Sequence, residues 1–427
     1  MAETELVQEQ APETGPIGRA DLLVAIAAPA DSEVLAVASE RVAEASRLLA
    51  SPCNIVFALP GETRSSVPKV LDPIGASSDS MRSLQYVNYV LPGSDPAAMP
   101  WLAESDLYRA VFSLAGELYA RACTILGTGP GFNRSSMPTE KLVMLLGPGL
   151  EGNFDLVMPI YTPQAYEDLV NKSILYPLTR ALYGNRVRHP LANEFQVSSR
   201  LIPPLSSNAG KDSGRQQARL LWPATTAAAR NLRMCQVHIG KRPVQTHEGI
   251  ELSDALAQLV GPLFVDMEDN ATLWQRVRGS HDVTTFGTAE PPLQPTEDVD
   301  VRPMLEAFQL GMRNLREIWS LVLPPITLLE LRKLAHASAE EFRLPDALWA
   351  RIIYDFALAS RLRNIRRAHL FGALTPLYLG WAASYAMEIN RLGFAASEER
   401  LETLARTYEA EKPYLLSRWR WPDRFHP

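Results

Sequence analysis

Short apolar runs alternate with segments of helical spacing through the first half of the chain. From Asp21 the run LLVAIAAP is continuous and ends in proline, and between Glu33 and Leu49 apolar residues recur at Leu35, Ala38, Val42, Ala45 and Leu49. The first pattern suits a strand buried on both faces, the second a helix with one apolar stripe. Asp31 or Ser32 is placed to accept the first free backbone N–H groups of that helix. NIVFALP, from Asn54, reads as the next buried strand, so the chain opens as a βαβ unit.

Residues 61–100 are rich in Ser, Pro and Gly and read mostly as loop, with one strand-like piece, LQYVNYVLP, from Leu84. Ser105 or Asp106 is expected to cap a helix striped at Leu107, Val111, Leu114 and Leu118, which runs into the strand CTIL, Cys123 to Leu126. FDLVMPIY, Phe154 to Tyr161, reads as a strand. A helix over Ser173 to Gly184 would be started or kinked by Pro177. The stretch from Ile202 to Gln217 reads as an exposed loop, and so does Phe286 to Pro303, beyond which only helices are expected. One of these is opened by Pro345 and Asp346, with a stripe at Trp349, Ile352, Ile353, Phe356 and Ser360. Another contains Tyr378 and Tyr385 and is ended by Gly393. The expected division is a tail over 1–18, disordered by its polar, proline-containing composition, an α/β domain over 19–285 and a mainly helical domain over 286–427.

Composition narrows the function classes. With 427 residues, 46% of them hydrophobic, the chain can bury substantial cores without staples. Cys53, Cys123 and Cys235 are far apart, with no CxxC pair, so neither a disulfide framework nor a structural zinc site is suggested and a reducing, cytoplasmic setting is expected. A net charge of -6, from 42 basic and 48 acidic side chains, gives no general attraction to nucleic acid. The acidic first residues do not resemble a signal peptide, and the most apolar stretch, Leu374 to Met387, is too short to span a bilayer, so no membrane span is expected.

Candidate chemistry is sparse. The loop GTGPGFNRSS, Gly127 to Ser136, follows the CTIL strand at its carboxyl end, where open α/β sheets place ligands. Its backbone N–H groups and the Thr128 hydroxyl suit a phosphate, although such a loop also reads as a plain surface turn. The run RLRNIRR, Arg361 to Arg367, reads either as a phosphate or carboxylate clamp or as the solvated face of a helix. Tyr176, Tyr183, Tyr354 and Trp381 fall in apolar periodic segments and read as core.

Several stretches, in order, resemble bacterial family-2-related glycosyltransferases of the GT-A type with a helical C-terminal domain, more distantly mannosylglycerate synthase. They are EGNFDLVMPIY from Glu151, NKSILYPLTRALYGNRVRHPLANEF from Asn171, RMCQVHIGK from Arg233, LWARIIYDFALA, and LTPLYLGWAASY. The resemblance implies an α/β, Rossmann-like nucleotide-sugar domain followed by a helical one. It further implies sugar transfer from a nucleoside diphosphate donor, assisted by a divalent metal, Mg²⁺ or Mn²⁺, held by carboxylates.

The acids that this chemistry needs are mostly missing. Where the family carries two aspartates after the strand, this chain has Gly127, Thr128 and Gly129. Where an acid meets base and ribose, only Glu62 is at hand, and where a third acid is expected stand Leu220 and Leu221. His238 and His247 do not match the spacing of the family's metal-binding histidine. Asp31, Glu62, Gly127, Thr128 and Gly129 remain the candidate nucleotide-sugar contacts, with no metal ligand assigned. Glu194, in RHPLANEF, falls where the family has a carboxylate near the acceptor, with Ala192 and Asn193 replacing a glycine pair. It reads either as a general base or as an element-end glutamate paired with Arg188 or Arg186. The expectation is a pseudo-glycosyltransferase that keeps the fold to bind a nucleotide sugar or a protein partner such as an active paralogue. The alternative is a metal-independent transferase using Glu194.

Overall fold

The structure is a computed structural model that describes residues 19–26, 32–49, 53–60, 69–70, 85–89, 100–127, 138–162, 166, 168–209, 222–241, 251–291, 299–392 and 396–421. The first part supplies strands β1 (Leu22–Ile26), β2 (Ile55–Pro60), β3 (Lys69–Val70), β4 (Gln85–Tyr89), β5 (Ala122–Leu126), β6 (Leu156–Tyr161), β7 (Phe195–Ser198), β8 (Met234–Gly240) and β9 (Thr284–Phe286). Helices α1 (Ser32–Leu48), α2 (Pro100–Glu117), α3 (Thr139–Leu150), α4 (Tyr176–Tyr183), α5 (Ile202–Ala209), α6 (Trp222–Ala229), α7 (Leu252–Asp269) and α8 (Ala271–Trp274) are interleaved with them. Only helices follow β9 among the described residues: α9 (Arg302–Asn314), α10 (Arg316–Val322), α11 (Pro325–Ala335), α12 (Asp346–Leu362), α13 (Arg367–Leu392) and α14 (Ser397–Arg420).

One sheet runs in the order β3-β4-β2-β1-β5-β7-β6-β8-β9. β1 lies parallel to β2 on one side and to β5 on the other, so the chain winds outward to β4 and then returns across β1. That reversal falls at the carboxyl ends of β1 and β5, the position where such sheets take ligands. β7 runs antiparallel between β5 and β6, which brings its amino end, and therefore Glu194, to the same edge. Every residue of β1 and of β5 is buried, as the continuous apolar runs require of strands covered on both faces.

The elements read from periodicity are present, with informative differences. α2 begins at Pro100, five residues before the expected cap at Ser105 or Asp106; a proline in the first turn loses no helical bond because that N–H has no partner inside the helix. Leu107, Val111, Leu114 and Leu118 are all buried as the stripe demands. The expected loop from Ile202 is instead helical to Ala209, for the same reason: Pro203 and Pro204 fall in its first turn, and Ser206 bonds the Phe112 carbonyl at 2.6 Å. The Ser173 helix is preceded by a π-helical turn, Asn171–Leu175, passes Pro177 in the first turn of α4, and ends on Gly184 at φ +73°. The conformation at Gly184 is one that side chains disfavour.

Among the described residues two large apolar cores form, beside a small cluster of Tyr176, Leu401 and Ala405. One holds the strands with α1, α2 and α3. The other packs α9–α14 and also takes in α4, α7 and Trp274 of α8, all of which precede β9 in sequence. α9 and α13 approach closely because Gly311 and Gly380 lie at the crossing: a Cβ on Gly380 would sit 2.8 Å from the Phe308 ring. Within the second core, α4 and the turn before it are fastened to α12 and α14 by polar, largely buried contacts. The Ser173 carbonyl accepts from Trp349 Nε1 at 3.0 Å and from the Tyr408 hydroxyl at 2.8 Å, and Lys412 donates to the Ala181 and Val277 carbonyls at 2.6 and 3.0 Å. Arg180, buried, pairs with Glu402 at 2.6 Å and Glu409 at 3.1 Å of α14. Tyr176, Tyr183, Tyr354 and Trp381 are core residues, and all three cysteines are buried thiols outside any disulfide.

Candidate functional site

β5 ends at Leu126, and Gly127 follows as a buried residue against the segment that leads into β7. A Cβ on Gly127 would lie 2.7 Å from Asn193 Cβ and 3.0 Å from Glu194 Oε1. Only a glycine allows that approach without displacement. Glu194 is fully buried, and its Oε2 accepts a hydrogen bond from the Tyr161 hydroxyl at the end of β6. The carboxylate is thus held between β5 and β6 by an N-terminal extension of the antiparallel strand.

Behind Tyr161 stands a second polar pair. The His189 ring meets the Tyr161 ring edge-on with centroids 4.9 Å apart, and its Nε2 lies 3.8 Å from Asp168 Oδ2. Asp168 adopts φ +56°, a conformation uncommon outside glycine and frequently retained at functional positions. Burial, and secondarily the charge of Asp168, raise the Tyr378 phenol above its ordinary range. Asp168, His189, Tyr161 and Glu194 therefore form a continuous line toward Gly127. Sequence reasoning singled out Glu194 and Gly127 but missed the other three; only the position of Tyr161 at a strand end hinted at its role.

The loop that carries Glu194 is pinned on its other side. Gln236 of β8 donates to the Arg186 carbonyl at 3.1 Å and accepts from the Arg188 N–H at 2.6 Å, while Asn171 donates to the Arg188 carbonyl at 3.1 Å. The Arg188 guanidinium covers the Tyr176 ring at 4.8 Å and pairs with Glu398 and Glu402, and Arg186 pairs with Asp282 at 2.8 Å. The two arginines expected beside Glu194 thus turn toward α14 and toward the segment before β9. Burial would lower the pKa of Arg188, but Glu398, Tyr176 and Glu402 together leave it raised.

Asp31, Glu62, Thr128 and Gly129 lie outside the described residues, as do Leu220, Leu221 and His247. Of the candidate contacts, Gly127 and Glu194 are brought together. His238 is in β8, with its imidazole held below its ordinary range by burial first and by Lys141 next. Among the described residues no three His, Cys, Asp or Glu side chains are grouped as a metal ion would require. Glu194 offers one carboxylate, already engaged by Tyr161, which does not fit a divalent cation that seeks several oxygen ligands.

The arginine run spans the end of α12 and the start of α13, and two of its members are engaged with neighbouring helices. Arg361 lies over the Trp419 ring at 4.6 Å and bonds its carbonyl at 2.7 Å, while Arg367 reaches the Ala257 carbonyl of α7 at 2.5 Å. Gly261 makes room for that guanidinium, since a Cβ there would lie 2.2 Å from Arg367 Nη2. These cations fasten helices. No described helix is long and apolar enough to cross a membrane.

No protein-family model matches the chain, and no curated protein matches it. Among solved structures, a glucosyl-3-phosphoglycerate synthase from Mycobacterium tuberculosis, in complex with Mn²⁺, uridine-diphosphate-glucose and phosphoglyceric acid, is 15% identical. That match covers 58% of this chain and 79% of the other, with a TM-score of 0.30. A mannosyltransferase from Pyrobaculum calidifontis, in complex with GDP-mannose and Mn²⁺, is 11% identical over 97% of this chain and 91% of its own, with a TM-score of 0.32. At these scores the likenesses carry no weight for the site, whose description rests on this chain's own residues.

Proposed function

We propose that this protein is a pseudo-glycosyltransferase: a nucleotide-sugar scaffold of the GT-A type that binds its ligand, or a protein partner such as an active paralogue, without metal-dependent sugar transfer. The observation that carries this reading is the state of Glu194. A general base must reach the acceptor hydroxyl within hydrogen-bond distance. Glu194 is instead wholly buried, bonded to Tyr161 and packed on Gly127. Its carboxylate braces the ends of β5 and β6 against the start of β7, and fold and site chemistry are separable in this way.

Sequence departures act in the same direction. The run Gly127, Thr128, Gly129 replaces the carboxylates that would hold a metal against a leaving diphosphate. Loss of one well-aimed electrostatic group typically costs about 2.7–4 kcal/mol of transition-state stabilisation, and several such groups are missing. Binding asks less: glycine N–H groups at the carboxyl end of β5 suit a diphosphate without a cation.

A thermal-shift series with UDP, GDP and their sugars, with and without Mn²⁺, tests the proposal, because a ligand that binds only the folded chain raises its melting temperature. The expected result is stabilisation by one nucleotide class that Mn²⁺ leaves unchanged. Stabilisation that requires Mn²⁺ contradicts it.

A further inference from the structure

Away from Glu194, at the carboxyl ends of β6 and β8, several polar groups converge on a single carboxylate. Lys141, in the first turn of α3, forms an ion pair with Oε1 of Glu290, and the Thr162 hydroxyl donates to Oε2 at 2.7 Å. His238 lies two residues before Gly240 in β8, and a Cβ on Gly287 would meet both His238 Cβ at 3.4 Å and the Met144 sulfur of α3 at 3.2 Å, which sets His238 beside the helix that carries Lys141. Burial first, then Lys141, lower the pKa of its imidazole, and Glu290 raises it. Gly240, at φ +89°, forms the floor, where a Cβ would lie 3.2 Å from Lys141 Nζ and 3.4 Å from Glu290 Oε1. The bare backbone at that position leaves the space that the carboxylate fills.

The groups that receive the anion are better fixed than the anion itself. Lys141 rises from α3, its side chain only 19% exposed, and Thr162 and His238 are set by two interior strands. Glu290 follows β9, the outermost strand, whose three residues are all exposed, and its own side chain is 41% exposed. The hydrogen bonds from Lys141 and Thr162 hold the Glu290 carboxyl below its ordinary range, so it is ionised at neutral pH. An ion pair with so exposed a partner contributes only about 0–1 kcal/mol, so the cost of displacing Glu290 is small.

We infer that Lys141, Thr162, His238 and Gly240 form a binding site for the terminal phosphate group of a small molecule, and that Glu290 occupies it when no such ligand is bound. The Lys141 ammonium and the Thr162 hydroxyl already donate to one anion, with the His238 strand position beside them, and such a cationic, donor-rich site suits the higher charge and additional oxygen of a phosphate better than a single carboxylate. The site stands on its own residues and would remain if no nucleotide sugar bound at the carboxyl end of β5.

Inorganic phosphate is the probe. In calorimetric titration of the full chain, Glu290→Gln is expected to bind phosphate about five-fold or more tightly than the native protein, the factor that corresponds to removing a competitor worth about 1 kcal/mol. Adding Lys141→Met to Glu290→Gln should abolish that gain. The His238 ring signals give a second readout in the Glu290→Gln protein, where bound phosphate should raise the pH at which they titrate. Equal affinity of the native and Glu290→Gln proteins, phosphate binding that survives Lys141→Met, or an unmoved His238 titration would each overturn the inference.

Discussion

Residue 127 carries no side chain because Glu194 stands where one would go: a Cβ there would approach Glu194 Oε1 to 3.0 Å and Asn193 Cβ to 2.7 Å. The contact joins the end of β5 to the start of β7, and Tyr161 completes it from β6. A glycine that sequence inspection reads as a flexible loop residue is thereby also a packing surface.

Gly127→Ala should destabilise the protein by about 1–3 kcal/mol, the usual cost of inserting a methyl group into a filled interior. Urea unfolding followed by circular dichroism measures it, and an unchanged midpoint would show that the Asn193–Glu194 segment yields freely.

Tyr161→Phe removes a donor from a buried carboxylate while keeping the ring against His189. The expected loss is about 1–3 kcal/mol, because the acceptor keeps its desolvation cost. Stability equal to the native protein's would mean that water replaces the phenol.

Burial separates two ion pairs on α14. Arg180 is buried beside Glu402, whereas Arg406 and Glu399 are both exposed. Removing Glu402 takes the charge-assisted hydrogen bonds of Arg180 and Arg188 to that carboxylate but leaves Arg180 with Glu409, a cost of about 1–3 kcal/mol, whereas removing an exposed partner costs little. Glu402→Ala should therefore lower the unfolding midpoint and Glu399→Ala should leave it in place. Equal effects would contradict the latch between α4 and α14.

Lys412 gives a pH signature. Burial lowers its folded pKa to about 8, below the ordinary lysine value, while its amine donates to two carbonyls. Between the folded and unfolded values the unfolded chain binds the extra proton, so this residue makes stability rise with pH above about 8. Lys412→Met should remove that contribution, visible as a smaller slope of unfolding free energy from pH 8 to 9.5 on the order of one proton or less. Identical slopes would show that Lys412 is not depressed.

The strand and helix stripes of the sheet region were legible because burial on both faces writes continuous apolar runs, as in LLVAIAAP and CTIL. Prolines misled twice, at Pro100 and at Pro203–Pro204, since the same residue that breaks a helix interior is tolerated in a first turn. α3 was not anticipated: Gly147, Pro148 and Gly149 weaken its pattern, and its last turn is completed by Gln196, which accepts from the Gly149 N–H at 2.9 Å and donates to the Leu146 carbonyl at 2.8 Å. Such long-range repair leaves no periodic trace. Glu194 was found through its sequence context, but its neighbours Tyr161, His189 and Asp168 come from three separate segments and only the fold assembles them.

Whether the chain has lost sugar transfer is decided by incubating the purified protein with UDP- and GDP-sugars, with and without Mn²⁺, and measuring released nucleoside diphosphate beside Glu194→Gln. The account predicts no release above that of Glu194→Gln under any condition, even with a donor that raises the melting temperature. Mn²⁺-dependent release that Glu194→Gln abolishes would establish an active transferase and contradict it.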